Sequence, residues 1–290
     1  MIWSIVHKPE MADGTEPIFR YYREALGKDN VSLAVVEEDD PLDFVGPDDT
    51  ILVRTANEKL QKAISKKDAR NTLESGLAYR LANDKAALSM LLSAKGILVP
   101  TMYDSALVSD GGTYFVKPRF GSDSKGIDEG SICRSKEEVD KRIFSLGEDC
   151  VVEDFIEGVD CTVACWMEEE DVQTCAIQVE CDGVEGGIQT FDNKLHINEF
   201  CSAVSDPDLS KVAREVFLLM GLKHYARIDF RKDARGCYYL IDVNLMPGFG
   251  PLAHFPKCLL LVRNYSYRDT MRLFVNTATK SQSYETTIQQ

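Results

Sequence analysis

Apolar residues recur along the chain with two different periods, and the changes of period divide it into elements. "MIWSIVH", "VSLAVVE" and "TILVRTA" are short β-branched runs that read as strands, and "PIFRYYREAL" between the first two reads as a helix. A second helix is predicted from Asp84 to Lys95, with Asn83 as its N-cap, Gly96 just past its end and Pro100 blocking continuation. "TYFVKP" is a strand that runs into the Gly- and Ser-rich loop "RFGSDSKGID", and "CVVEDFIEG" is a strand ending in a bend. "CTVACWMEEEDVQTCAIQVE" reads as a hairpin with its polar turn near Glu169–Asp171. Leu209, Val212, Ala213, Val216, Phe217 and Met220 make an apolar stripe over a helix at 208–220, which Gly221 stops. "HYARIDFRKDARGCYYLIDVNLMPGFG" is a further pair of strand-like runs, a short helix follows at about 267–277, and "TKSQSYETTIQQ" is expected to fray. Strands dominate from 113 to 244 with irregular helices between them, which predicts an α+β fold rather than one doubly wound sheet.

Composition narrows the classes. The 290 residues are 44% hydrophobic and 28% charged, enough apolar material for a large core in one to three domains. A net charge of −14 repels nucleic acid and anionic lipid, so neither is expected as a partner, although small anionic ligands respond to local charge. No apolar run approaches the ~18 residues of a membrane helix, and the start lacks a signal-peptide layout, so a cytoplasmic protein is expected. The nine cysteines form no CxxC pair and the four histidines are dispersed, which favours buried thiols in a reducing compartment over a zinc site.

The last hairpin carries the most pointed chemistry. With a two-residue turn at Ala234–Arg235, Arg227 falls opposite Asp242 and Asp229 opposite Leu240. Alternation then puts Arg227, Asp229, Asp242 and Asn244 on one face and Ala226, Ile228, Phe230, Ile241 and Val243 on the other, apolar face. Two carboxylates ~5 Å apart repel by roughly 3 kcal/mol at an effective dielectric near 20. Arg227 offsets part of this, and a hard divalent cation, Mg²⁺ or Mn²⁺, would offset more. A structural Arg–Asp network on a solvated sheet face explains the hairpin equally well on its own. Lys117 ends a strand before a loop whose backbone N–H groups could wrap phosphate oxygens, and Glu153 and Asp160 flank the apolar Phe155–Ile156 pair.

Taken in order, "NDKAALSMLLSAKGILVP", "FVKPRFGSDSKGI", "VVEDFIEGVDCTV", "FDNK", "ARIDF" and "LIDVNLMPGFG" resemble the ATP-grasp superfamily, in its D-alanine–D-alanine ligase-like branch, across about residues 83–250. "NYSYRDTMRLFVNTA" is similar to the last helix of that branch. The resemblance implies an ATP-grasp fold, two α+β lobes gripping ATP, behind a small N-terminal α/β domain. The implied divisions are 1–82 for that domain, 83–153 for the small lobe with its phosphate loop, and 154–290 for the large lobe with the metal site and C-terminal helix.

Residue by residue, the resemblance implies that Lys85 and Lys117 contact the nucleotide phosphates. The loop bearing Gly121, Ser122, Ser124 and Gly126 would close over them. Glu153, Asp154, Phe155 and Ile156 would line the adenine, Asp160 would hold the ribose, and Lys194 would reach the γ-phosphate. Asp229, Asp242 and Asn244 would bind Mg²⁺ (or Mn²⁺), and Arg227 with the Gly248 N–H would face the reacting carbonyl. The implied activity is ATP-dependent ligation of a carboxylic acid, an amino acid or peptide, to an amine through an acyl phosphate, with release of ADP and phosphate. The alternatives are a carbamoyl-phosphate- or purine-pathway-type enzyme using a small acid, and a non-catalytic ATP-binding regulator. Implied partners are small-molecule carboxylates and amines, and the sequence is compatible with a homodimer. The chain departs from the branch at Asp242, where Glu is common, and at Leu245–Met246, where small polar residues are favoured. "HKPEMADG" also stands in place of the branch's N-terminal glycine-rich segment. These departures point away from D-alanine as the substrate.

Overall fold

A computed structural model describes residues 1–11, 15–121, 124–147, 149–181 and 199–280. Three sheets organise it. In the N-terminal sheet, Ile2–His7 lies between Val31–Val36 and Thr50–Val53, parallel to both, and Arg70–Asn71 continues the parallel set. The edge is completed by Thr279–Lys280, which returns from the far end of the chain to pair antiparallel with Arg70–Asn71. A four-stranded sheet follows, ordered Met102–Tyr103, Cys150–Asp154, Tyr114–Pro118, Ile132–Cys133. The third sheet is antiparallel throughout, ordered Glu199–Val204, Asp171–Cys181, Gly158–Glu168, Tyr225–Asp233, Tyr238–Asn244.

The large sheet is buried on both faces. Val163, Cys165, Ile228 and Phe230 pack on one side against Leu88 and Leu92 of the helix Lys85–Ala94, and against Leu209, Val216 and Phe217 of the helix Pro207–Leu219. Ala164, Trp166, Ile177 and Tyr225 pack on the other against Phe255, Leu259 and Phe274. Those three residues belong to the helices His254–Arg263 and Tyr267–Asn276. This alternation is why the central strands read as nearly continuous apolar runs. Cys161 and Cys165 share one face as their spacing requires, and the eight cysteines with described side chains are free thiols, five of them buried. No described helix is long and apolar enough to cross a membrane.

Several predicted elements shift. The second predicted helix is found at Lys85–Ala94, but an unpredicted helix runs up to it. Gly76–Asn83 ends where Lys85–Ala94 begins, and the cap between them is Asp84, not Asn83. The Asp84 carboxylate accepts from the N–H groups of Ala86 and Ala87. The last hairpin also has a different register. Its turn is longer than two residues, because Asp233 pairs back to Cys237 and its carboxylate accepts from the N–H groups of Arg235 and Cys237. Arg227 therefore stands opposite Asn244 and Asp229 opposite Asp242, with an irregularity between Asp229 and Phe230. Phe230 pairs with Leu240, so Ile241 is the extra residue. The bulge sends Leu240 to the core and turns Ile241 towards the polar face, reversing the expectation for Ile241.

Candidate active site

A cleft with a cavity volume of about 140 Å³ opens between the four-stranded sheet and the large sheet. The last hairpin supplies its floor. Arg227 Nε reaches both oxygens of Asp229, at 3.1 and 2.9 Å, and Thr162 Oγ1 donates to Asp229 Oδ1 at 2.9 Å. Asp242, the cross-strand partner of Asp229, faces the same space. Burial raises the Asp242 carboxyl above its ordinary value and repulsion from Asp229 adds to this, while Lys85, Arg227 and Lys117 pull the other way. Asn244 and Gly248 lie outside the lining of the cleft proper, and the Asn244 amide oxygen accepts from the Met246 N–H at 2.9 Å.

The opposite wall is built from the glycine loop and the helix Lys85–Ala94. Arg119 forks onto Asp84 at 2.8 and 2.7 Å, the Gly121 N–H donates to Asn83 Oδ1, and Lys85 Nζ donates to the Gly121 carbonyl at 2.7 Å. The far end is held by Arg142, which donates to the Gly126 carbonyl at 2.7 Å and pairs with Asp128 at 2.9 Å. The loop is thus anchored at both ends. Burial holds the Lys85 ammonium below its ordinary value, aided by Lys117 and opposed by Asp242. Lys117 is buried and paired with buried Glu153 at 2.6 Å. The sequence placed these two at opposite ends of the nucleotide, whereas the fold joins them.

The strand Cys150–Asp154 and the bend after it carry Glu153, Asp154, Phe155 and Ile156 along the cleft. Tyr103 Oη donates to Asp154. Arg231, which the sequence reading missed, ties the bend together. It donates to the Ile156 carbonyl at 2.7 Å, to the Gly158 carbonyl at 3.0 Å and to Asp160 Oδ1 at 2.8 Å, and lies over the Phe155 ring. Burial pushes the Asp160 carboxyl up to about 6, against the pull of Arg231 and with that of Asp229.

Ser124 and Gly121 join this lining, whereas Gly126 lies behind it. Ser122 and Lys194 fall outside the described residues. Arg231, Thr162 and His254 are additions to the site. Strand alternation signals the first two, since Arg231 follows Arg227 and Asp229 at every second position and Thr162 follows Asp160. His254 sits at the start of a helix whose position only the tertiary fold reveals.

The donor set suits a hard divalent cation. Two opposed carboxylates face the cleft, and burial and mutual repulsion destabilise the charge on Asp242, which a cation would relieve. The cluster thus sets the lysines Lys85 and Lys117 opposite a carboxylate pair that could take a cation.

The family described as D-ala D-ala ligase C-terminus matches residues 110–270, more than half of the chain. A D-alanine–D-alanine ligase of Maridesulfovibrio salexigens is 28% identical over 195 residues, covering 61% of this chain and 62% of the relative. One from Shewanella frigidimarina is 30% identical over 158 residues, covering 51% and 46%. The chain thus aligns with less than two thirds of the length of these relatives. In three dimensions it resembles the Bacillus anthracis D-alanine–D-alanine ligase complexed with ATP, with a TM-score of 0.72 and 15% identity over 95% of this chain and 96% of that one. The fold is therefore that of the ATP-grasp ligases, and by the match over 110–270 the chain belongs to the D-alanine–D-alanine ligase C-terminal family.

Proposed function

We propose that the protein is an ATP-dependent carboxylate–amine ligase that activates an acid as an acyl phosphate and couples it to an amine, releasing ADP and phosphate. The observation that carries this reading is the single cleft in which Asp229 and Asp242 oppose each other beneath Lys85, Lys117 and a loop anchored at both ends. Asp229, Asp242 and Asn244 would hold Mg²⁺, which when bound would neutralise charge on the distal phosphates. Lys85 and Lys117 contribute fixed positive charge, and the loop encloses the phosphates, with Ser122 and Lys194 assigned to the same task by sequence. Arg227 and the Gly248 N–H would face the oxygen of the acyl carbon, where negative charge grows as the amine attacks. No nucleophile on the protein is required. Residues 1–82, 83–153 and 154–290 would act as N-terminal domain, small lobe and large lobe.

The acid is an amino acid or peptide. The relatives' names suggest D-alanine as one candidate, but Leu245, Met246 and the "HKPEMADG" segment favour a different acid. The decisive experiment supplies ¹⁸O-labelled carboxylates of D- and L-amino acids and short peptides with ATP, Mg²⁺ and amine acceptors. The expected result is ADP and ¹⁸O-labelled inorganic phosphate. AMP release, or unlabelled phosphate alongside confirmed product, overturns the acyl-phosphate route. Turnover with bicarbonate alone transfers the protein to the small-acid reading.

A further inference from the structure

An amine acceptor arrives at neutral pH as an ammonium, which has no lone pair for attack, so a ligase of the kind proposed above needs a proton acceptor in the cleft. Most acidic groups there are committed. Asp229 is held by Arg227 and Thr162, Asp160 by Arg231, and Glu153 by Lys117. His254 is the one histidine among the described residues that lines the cleft. Its Nε2 lies 2.9 Å from Glu199 Oε1, and that oxygen also accepts from Lys257 at 2.6 Å and from the Cys201 thiol at 3.0 Å. Burial works to raise the Glu199 carboxyl, but hydrogen bonds from His254, Lys257 and Cys201 hold it well below the usual range, so it is a standing anion. A carboxylate on one ring nitrogen fixes the tautomer, leaving Nδ1 as the basic nitrogen, and it stabilises the imidazolium that forms on proton uptake.

We propose that His254, oriented by Glu199, is the general base that deprotonates the amine nucleophile. This rests on the ligase reading above. The ammonium of the acceptor gives one proton to His254 Nδ1, and its freed lone pair forms the C–N bond at the acyl phosphate carbon. The C–O bond to phosphate then breaks, phosphate departs with that electron pair, and the second proton on nitrogen leaves to phosphate or solvent. Glu199 and Lys257 are positioning residues, Glu199 through its contact with the ring and Lys257 through Glu199.

The trio Glu199, Cys201 and His254 also has the spacing of a metal site. The geometry favours the base, because the Lys257 ammonium already sits on the shared carboxylate oxygen and 3.9 Å from the Cys201 sulfur. The groups that set the protonation of His254 come from three elements. They are Glu199 and Cys201 on one strand, Asp160 on the central strand, and Lys257 on its own helix.

The test separates nucleophiles by their need for a base. Hydroxylamine is mostly unprotonated at neutral pH and traps acyl phosphates as hydroxamates, whereas an amino-acid acceptor must be deprotonated first. Wild type, His254→Gln and Glu199→Gln are each given the panel of D- and L-amino acids as acids, with either hydroxylamine or an amino acid as nucleophile. In His254→Gln, kcat with the amino-acid nucleophile is expected to fall on the order of 100-fold. It should recover as pH is raised, and the loss with hydroxylamine should be several-fold at most. Glu199→Gln should show the same selectivity more weakly. Equal losses with both nucleophiles, or an unchanged amino-acid rate and pH profile, overturn the base assignment while leaving the ligase reading intact. Stoichiometric zinc in the purified protein that is lost in Cys201→Ala also overturns it. If the wild type forms no hydroxamate with any acid, the ligase reading fails and takes this inference with it.

Discussion

At the scale of single residues, the site is a set of buried charges held against one another until a ligand arrives. Lys117 and Glu153 are the clearest pair, both buried and 2.6 Å apart. Removing one partner of such a pair costs about 3–5 kcal/mol, because the other is left as an uncompensated charge. Lys117→Met should therefore lower the melting temperature, and adding Glu153→Gln should restore much of the loss, as calorimetry on the single and double variants will show. The same Lys117 change should weaken binding of an ATP analogue far more than Lys125→Ala on the glycine loop, and equal effects would exclude a phosphate role for Lys117. Asp160 gives a pH signature. Its carboxyl is pushed up to about 6 from an ordinary 3.8, so the charged form is lost as pH falls through about 6. If that carboxylate holds ribose hydroxyls, ATP-analogue affinity should decline from pH 7 to pH 5, and Asp160→Asn should flatten the profile. The stability contribution runs the other way. The folded state binds the extra proton between 3.8 and about 6, so this group's contribution to stability falls as pH rises through that window.

At the scale of elements, the glycine loop is anchored at Arg119–Gly121 and at Gly126–Asp128. Gly126 has φ +69°, and a Cβ there would lie 2.7 Å from Pro118 Cγ. Gly126→Ala thus combines left-handed strain of about 1–2 kcal/mol with a clash against the strand that presents Lys117. It should reduce turnover at least tenfold while leaving the large sheet folded. In the wild type, hydrogen exchange at the described loop amides should slow on adding an ATP analogue with Mg²⁺, since phosphate contacts would offset the ordering entropy. Unchanged exchange would argue against closure. The sequence displayed most of these elements because period and breaker residues are local signals. It misplaced the cap at Asn83, because it did not foresee the helix Gly76–Asn83, which makes Asn83 the last residue of one helix and Asp84 the cap of the next. It also misread the last hairpin, since nothing in "DARGCYYLID" marks both a longer turn and a bulge at Ile241. The polar face survived the error because Arg227, Asp229, Asp242 and Asn244 keep their alternation within each strand. The Arg231 staple and the Glu199–His254 contact join segments far apart in sequence, so only tertiary structure could display them.

At the scale of the whole molecule, the N-terminal sheet is wired to the large sheet and the turn after it through polar contacts. Arg54 Nη1 donates to the Pro247 carbonyl at 2.9 Å and its guanidinium lies 4.4 Å from the centre of the Phe249 ring, so the unit touches the turn that carries Gly248. Buried Glu74 accepts from the backbone N–H groups of Lys223 and His224 at 2.9–3.1 Å, at the start of the strand that bears Arg227 and Asp229. The His224 ring in turn bridges the carbonyls of Leu73 and Thr277, joining the N-terminal unit to the last helix, which leads into the returning strand Thr279–Lys280. Glu74→Ala leaves the N–H of buried His224 and the part-buried N–H of Lys223 without their acceptor, at a cost of about 1–3 kcal/mol. The expected outcome is a lower melting temperature and new proteolytic cleavage near residues 66–75, the segment of the N-terminal unit that Glu74 ties to Lys223 and His224. Turnover should fall even in the fraction that stays folded, because the strand carrying Arg227 loses a support at its start. Calorimetry, limited proteolysis and initial rates on the same preparation separate these effects. A variant with wild-type melting temperature and cleavage pattern but reduced kcat would show that Glu74 acts on the site alone, and one unchanged in all three would show that the two units hold together without it.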